Sequence, residues 1–345
     1  MRLIHLTENV PSNYRLPCVV LAHNEGHIFS EFLTHYRRLG VDHFFIVDDR
    51  STDNSRDILT SHPDVTIFTP VEGSSYARDK RYWRAELLDR FADGRWVVVP
   101  DVDEHLVFRD FENSSLHTLI SELEREGAEA LHATMVDMYR DEPLDHHIHD
   151  RGTLLESFPL FDGPDYYFRI AAPRNFRRQF PVPHCMVIGG PRQRLFEPLS
   201  VQPESREYGL LRGACDISGP LSGGHAFRFS AALTRLRLRR ALRSATLYNN
   251  GKLPLLKWRR NMQFYGGAHA VSAPVKLSSR TGALLHFKFA AGMAGIKYVA
   301  ERGQHMGGSQ YYKKMLSQKE MASRSPAFSG SLRFRDSASL GRILS

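Results

Sequence analysis

PCVVLAHNEGHIFSEFLTHYRRLGVDHFFIVDDRSTDNS, residues Pro17–Ser55, is the stretch whose reading decides the fold class. Pro17–Ala22 is short, apolar, β-branched and bounded by proline, the pattern of a strand buried on both faces. Over Glu25–Leu39 the period changes. Ile28, Phe29, Phe32, Tyr36 and Leu39 recur at helical spacing, with Asn24 placed to cap the helix and Gly40 to end it. His43–Asp48, HFFIVD, reads as a second strand, and the turn RSTDNS opens another helix. Moving outward, Val65–Phe68 predicts a third strand. Tyr76–Phe91 predicts a helix with Trp83, Leu87, Leu88 and Phe91 on one side, stopped near Gly94. Arg95–Pro100 predicts a fourth, near-continuously apolar strand. Such alternation implies an α/β fold with a mainly parallel sheet and helices on both faces.

Open sheets of this kind bind ligands beyond the carboxyl ends of their strands. Three polar segments fall there: His23-Asn24-Glu25, Asp48-Asp49-Arg50-Ser51 and Asp101-Val102-Asp103-Glu104. In an extended loop, residues two apart point the same way, so Asp101 and Asp103 can reach one hard cation. Two carboxylates with an open coordination sphere suit Mg2+ or Mn2+, which would offset charge on a nucleotide diphosphate leaving group. The competing reading of the same residues is a solvated acidic turn capping a helix. Asp48 and Asp49 divide similarly, between turn chemistry and hydrogen bonding to a base or ribose.

The composition, 42% hydrophobic and 24% charged over 345 residues, excludes collagen-like and globally disordered chains and allows one large domain or one and a half. A net charge of +8 implies an anionic partner: nucleic acid, an acidic membrane surface or a nucleotide diphosphate. Cys18, Cys185 and Cys215 lie too far apart for a disulfide framework or a zinc site, which favours a reducing compartment. The N-terminal residues lack the apolar stretch of a signal peptide, and no apolar run approaches the roughly 20 residues of a membrane span. A cytoplasmic location is expected, at most peripheral at the inner membrane face.

Three segments together carry a family resemblance: Leu21–Ser55, ARDKRYWRAELL (Ala77–Leu88) and WVVVPDVDEHL (Trp96–Leu106). They resemble the start of a GT-A glycosyltransferase, similar to glycosyltransferase family 2 and to a bacterial branch that also resembles family 92. The likeness is strong over residues 17–110 and extends weakly to about residue 315. It implies transfer of a sugar from a UDP- or GDP-linked donor to a glycan or lipid-linked acceptor, with inversion, Mn2+ or Mg2+, and a place in surface polysaccharide synthesis. By position, Ala22, Asn24 and Glu25 would border the nucleotide, and Asp48 or Asp49 would meet the base or ribose. Arg78 and Asp79 would lie beside the nucleotide, where the family commonly has Arg-Asn-x-Gly; here Arg78-Asp79-Lys80-Arg81 lacks the glycine. Asp101 and Asp103 would occupy the metal motif, with Asp103 the direct ligand. In many GT-A enzymes a histidine from the far half completes the metal sphere, and HFK (His286–Lys288) resembles that position. Strand alternation puts His286 and Lys288 on one face, so the lysine would suit the diphosphate. The resemblance divides the chain into a nucleotide-sugar half over 1–140, an acceptor half over 141–315 and an exposed Ser/Arg-rich tail over 316–345.

VDMY (Val136–Tyr139), GGPRQRLF (Gly189–Phe196), PLLKW (Pro254–Trp258) and LLHFKF (Leu284–Phe289) also look familial. Asp137 follows the apolar ALHATMV and is read either as a capped strand end or as an acceptor-binding group or base. His184, His225 and His269 follow loop residues and are candidates for the acceptor pocket or for structural roles. Arg174, Arg177, Arg178, Arg192 and Arg194 form a basic cluster, either a solvated face or a contact for diphosphate or an acidic acceptor. The arginine-rich stretch Leu233–Leu247 reads as a helix that packs its leucines inward or touches an anionic membrane surface. Rival functions are a nucleotidyltransferase, a haloacid-dehalogenase-type phosphohydrolase and a nucleic-acid-binding protein. The first would show a Gly-rich basic loop where AHNEGHI stands, and the second Thr or Val where His105 stands. No nucleic-acid-binding motif is present, and acidic residues gather where the ligand would sit.

Overall fold

The computed structural model describes residues 2–7, 10–11, 13–197, 201–219, 221, 232–233, 236–244, 246–305, 308–318, 320 and 323–344. Nine strands form one sheet: β1 (Leu3–His5), β2 (Pro17–Ala22), β3 (His43–Asp48), β4 (Val65–Pro70), β5 (Trp96–Val98), β6 (Glu104–Val107), β7 (Ala130–Asp137), β8 (Gly251–Lys257) and β9 (Leu277–His286). Their order across the sheet is β1-β4-β3-β2-β5-β8-β7-β9-β6. The run β4-β3-β2-β5 is parallel, as is the pair β7-β9, while β1, β8 and β6 run against their neighbours. The fold is therefore α/β, with a mainly parallel sheet.

Period-two alternation within each strand assigns side chains to two packed layers. Cys18 and Val20 of β2, with Phe44 and Ile46 of β3, face helices α1 (Phe29–Arg38), α2 (Ser55–Thr60) and α4 (Leu116–Glu126). Val19, Leu21, Phe45 and Val47 face the opposite way, onto Trp83, Leu87 and Leu88 of helix α3 (Tyr76–Phe91). A strand buried on both faces needs apolar residues at every position, which is why these strands read as continuous apolar runs. Among the described residues, no helix is long and apolar enough to cross a membrane. All three cysteines are buried, and none of them is in a disulfide.

Asn24 does not cap α1, as its sequence position had suggested. The chain makes a tight turn first: Ile28 and Phe29 both donate to the Glu25 carbonyl, and Ile28 stands at the cap position. Asn24 adopts a left-handed φ of 57° and its side-chain oxygen accepts from the Thr52 backbone at 2.7 Å, so it ties the β2 end to the β3 end. Gly40, at φ 103°, does terminate the helix.

The second half adds β7, β8 and β9 to the sheet and hangs a small antiparallel ribbon, Tyr167–Ala171 with Cys185–Gly189, beside it. That ribbon turns into helix α5 (Gly190–Phe196) at Gly189, where φ is 117° and a Cβ would fall 1.9 Å from the Tyr166 carbonyl. Only glycine fits there. In the stretch Leu233–Leu247, the helix seen is Arg239–Ser244; Leu238 beside it is buried and Leu236 is exposed. His225 lies outside the described residues.

The exposed tail expected over 316–345 is corrected by the structure. Ser331–Arg333 pairs with Leu160–Asp162, and Leu340, Ile343 and Leu344 join the main core. The serine-rich composition masked three large apolar residues that recur close to the end of the chain. Since Ile343 is fully buried, Ile343→Ala is expected to cost about 2–5 kcal/mol of stability by urea unfolding. A loss below about 0.5 kcal/mol, typical of surface positions, would mean the tail is not part of the core.

Candidate active site

Asp101-Val102-Asp103 is the short link between β5 and β6, so it lies at the end of the sheet where β2, β7 and β9 also terminate. Strand register then decides which side chains meet. His286 is opposite Glu104 on one side and Asp137 on the other. The Phe287 amide donates to the Asp103 carbonyl at 2.8 Å, and the Met138 amide to the His286 carbonyl at 2.9 Å. These backbone bonds lock three remote segments into one row.

The row reads Asp103, His286, Asp137, Arg192. His286 Nε2 lies 3.3 Å from Asp103 Oδ2, and His286 Nδ1 lies 2.5 Å from Asp137 Oδ1. Arg192 donates through Nε to Asp137 Oδ2 at 2.7 Å and through Nη2 to Asn250 at 2.8 Å. Lys288 Nζ stands 3.7 Å from Asp103. Burial works against both charges, yet the opposite charges win. His286 and Lys288 hold the Asp103 carboxyl far below the usual range, and Asp103 with Asp137 raises the His286 imidazolium above its ordinary value. Burial likewise opposes ionisation of Asp137, but Arg192 and His286 outweigh it and hold its carboxyl low.

Asp101 has a different environment. Lys252 of β8 donates to Asp101 Oδ2 at 2.6 Å and to Glu104 Oε1 at 2.5 Å, while Arg84 of α3 reaches Asp101 Oδ1 at 3.2 Å. Glu104 also accepts from the Asp101 amide at 3.0 Å. Among the described residues, the donor set close enough to share a metal ion is Asp103, Glu104 and His286, all within 4.8 Å of one another. Glu104 thus stands where the sequence reading placed Asp101, whose oxygens instead compensate two buried cations.

A cavity of about 190 Å3 opens in front of this row, lined by Ala22, Asn24, Glu25, Asp101, Asp103 and Lys288. Glu25 is pushed well above the usual carboxyl range by burial and then by the Asp103 charge. Helix α6 (Gly292–Arg302) forms the far wall. Its Tyr298 hydroxyl bonds His23 Nε2 at 2.7 Å and accepts from Asn24 Nδ2 at 2.9 Å, and Arg302 pairs with Asp49.

Several expected contacts are not at this cavity. Asp48 is fully buried, receiving Arg56 and the Ser51 amide, and Asp49 is 2% exposed between Arg50 and Arg302. Their carboxylates have no face open to a base or ribose. Arg78 and Asp79 pair with each other at 2.7 Å, and Asp79 accepts from the Ser75 amide at the start of α3. That is helix-end chemistry, and Tyr76 lines the cavity in their place. Asp137, read as a base or acceptor contact, is 1% exposed and does not line the cavity, and its two oxygens are engaged by His286 and Arg192. The five-arginine cluster does not exist as a unit: Arg192 and Arg194 are buried on Asp137 and Asp162, while Arg174, Arg177 and Arg178 lie on a surface helix. His269 is half-buried, with its Nδ1 on the Gly251 carbonyl, and desolvation and Lys252 lower it to about 3. Neither it nor His184 lines the cavity.

Lys252, Arg84, Tyr298, Arg302, His305 and Tyr312 were not singled out from sequence. Two had a signal. Lys252 is a buried charge in the apolar strand GKLPLLK, whose other lysine, Lys257, stands at its more open end, and Arg84 shares the buried side of α3 with Trp83, Leu87 and Leu88. A charge on a core face needs an opposite charge beside it, here Asp101 for both. The others sit on far-half segments that reach the site only through tertiary packing.

No family model matches the chain, and no curated protein matches it. Solved structures that match part of the chain include the mannosyltransferase PcManGT from Pyrobaculum calidifontis in complex with GDP-Man and Mn2+, 20% identical over 37% of this chain and 36% of that one, with a TM-score of 0.25. A 4-diphosphocytidyl-2C-methyl-D-erythritol synthase is 17% identical over 38% of this chain and 64% of that one, TM-score 0.25. A glucose-1-phosphate thymidylyltransferase from Bacillus anthracis, in complex with a sucrose, is 10% identical over 46% and 61%, TM-score 0.26. The match spans less than two thirds of each of these three chains.

The His286 charge gives this site a pH signature without metal. A group whose folded pKa is raised contributes stability that is full below its unfolded value, about 6.5, and lost as pH rises through the folded value. In EDTA, urea unfolding should therefore show stability declining from about pH 6 upward, and His286→Gln should flatten that decline. Parallel pH curves for the two proteins would show that His286 is not charged in the fold.

Proposed function

We propose that the chain is a metal-dependent glycosyltransferase that moves a sugar from a UDP- or GDP-linked donor to a glycan or lipid-linked acceptor. The observation that carries this reading is the row Asp103–His286–Asp137 at the edge of a cavity that also holds Lys288. A carboxylate and an imidazole side by side suit Mn2+ or Mg2+, and a carboxylate behind the imidazole is the usual outer partner of a metal-bound histidine. When bound, the ion would supply positive charge to a leaving nucleoside diphosphate.

The chain's own residues do the rest. Asp137 accepts the Nδ1 proton of His286, which leaves Nε2 as the ligand atom, and Arg192 holds Asp137 in place. Burial works against the charge of Lys288, but the Tyr312 hydroxyl and Asp103 outweigh it and raise the ammonium above its ordinary value, which keeps it cationic for the diphosphate. Glu25, its carboxyl raised well above the usual range by burial and by Asp103, lines the donor side of the cavity beside Asn24 and Ala22. Asp101 acts as an anchor for Arg84 and Lys252 and shapes the wall of the cavity.

In thermal melting, UDP or GDP should stabilise the protein much more with Mn2+ than with EDTA, by about 2.7 kcal/mol at a hundredfold excess over the dissociation constant. Asp103→Asn should abolish the metal-dependent part, and Asp137→Asn should weaken metal affinity by about 10–100-fold. Equal nucleotide shifts with and without metal would defeat the proposal. A nucleotidyltransferase is the second reading, and incubation with a nucleoside triphosphate and a sugar 1-phosphate tests it: release of pyrophosphate would decide for that activity.

A further inference from the structure

The three arginines left on the surface, Arg174, Arg177 and Arg178, share a short helix, Arg174–Gln179, that buries none of its own residues. None of the three has an ion-pair partner among the described residues, and the Nε of Arg177 has no hydrogen-bond partner. Beside them lies an aromatic group. Phe176 and Phe180 stack at 5.5 Å between centroids, and Tyr265, 37% exposed, meets Phe176 edge-on at 4.7 Å and Phe180 at 5.4 Å. Tyr265 begins the loop whose next residue, Gly266, accepts from Arg84 through its carbonyl at 3.1 Å. A Cβ on Gly267 would lie 3.0 Å from Asp101 Oδ2. The patch is therefore one loop away from the candidate site.

We propose that this face docks on an anionic lipid bilayer. Unpaired arginines beside half-buried phenylalanines match the two layers of a membrane interface, phosphate outside and acyl chain beneath. A hydrated polyanion would use the arginines and gain nothing from the phenylalanines. A single-stranded nucleic acid would need an open ring face, whereas these rings cover one another. The chain's net charge of +8 suits an anionic partner of any of these kinds, so the choice among them rests on the aromatic group. Docking here does not depend on the sugar-transfer reading, since it uses no residue of the cavity.

Flotation of the full chain with vesicles of equal parts phosphatidylcholine and phosphatidylglycerol, against phosphatidylcholine alone, tests this directly. The protein should float with the anionic vesicles, less so as salt rises, and not with the neutral ones. Arg174→Gln with Arg178→Gln, both exposed positions, should lower the partition coefficient roughly 25-fold, about fivefold per arginine. Phe176→Ser should lower it further at unchanged charge, with unfolding curves confirming that each variant is folded. Absence of flotation, or equal flotation with neutral vesicles, would overturn the proposal. Loss from the arginine pair with no effect of Phe176→Ser would overturn it in favour of a soluble polyanion.

Discussion

The arrangement of this molecule depends on one buried contact, an imidazole held between two carboxylates. His286, itself buried, bridges Asp137, which is 1% exposed, and Asp103, which keeps a face on the cavity. Buried carboxylates are costly unless compensated, and here each has cationic partners: His286 and Lys288 for Asp103, His286 and Arg192 for Asp137. Lys252 and Arg84 do the same for Asp101 and Glu104 a few ångströms away. The result is a dense, nearly balanced network at the end of a sheet, with its one open side on the cavity.

That network also explains the strand arrangement. Bringing His286 opposite both Glu104 and Asp137 requires β9 to lie between β7 and β6, which places the β5–β6 link beside the ends of β7 and β9. β5 is apolar throughout and β9 is apolar over Ala283–Leu285 just before His286, while β7 also buries His132 and Thr134 in its interior. Packing therefore fixes the strands, and the polar ends are carried into contact by register. A slip of one residue would turn His286 to the opposite face of the sheet and leave Asp137 buried against Arg192 alone.

Helix α6 gives the cavity its second wall and accounts for an unexpected use of the strand-end aspartates. Asp49 anchors Arg302, and His23 with Asn24 anchors Tyr298, so polar residues that look like ligand contacts hold the wall against the sheet. Arg78 and Asp79 are a related case, spent on the first turn of α3. Short polar segments at strand ends serve either purpose with the same residue types, and only the partner tells them apart.

The amino-acid sequence alone determined the alternation of β2, α1, β3, α2, β4, α3 and β5, because burial on both faces demands continuous apolar strands and amphipathic helices. It also marked Asp101-Val102-Asp103 as the end of a strand and His286 with Lys288 as polar positions in an apolar run, since charges there conflict with their surroundings. Tertiary structure decided the rest. Which carboxylate joins His286, the conversion of Asp137 from a candidate base to an orienting group, and the burial of the serine-rich tail through Leu340, Ile343 and Leu344 all depend on contacts between residues far apart in the chain. Local pattern reports whether a side chain wants water or an apolar layer. It does not report which charge will stand opposite, because that is set by strand order and register across the whole sheet.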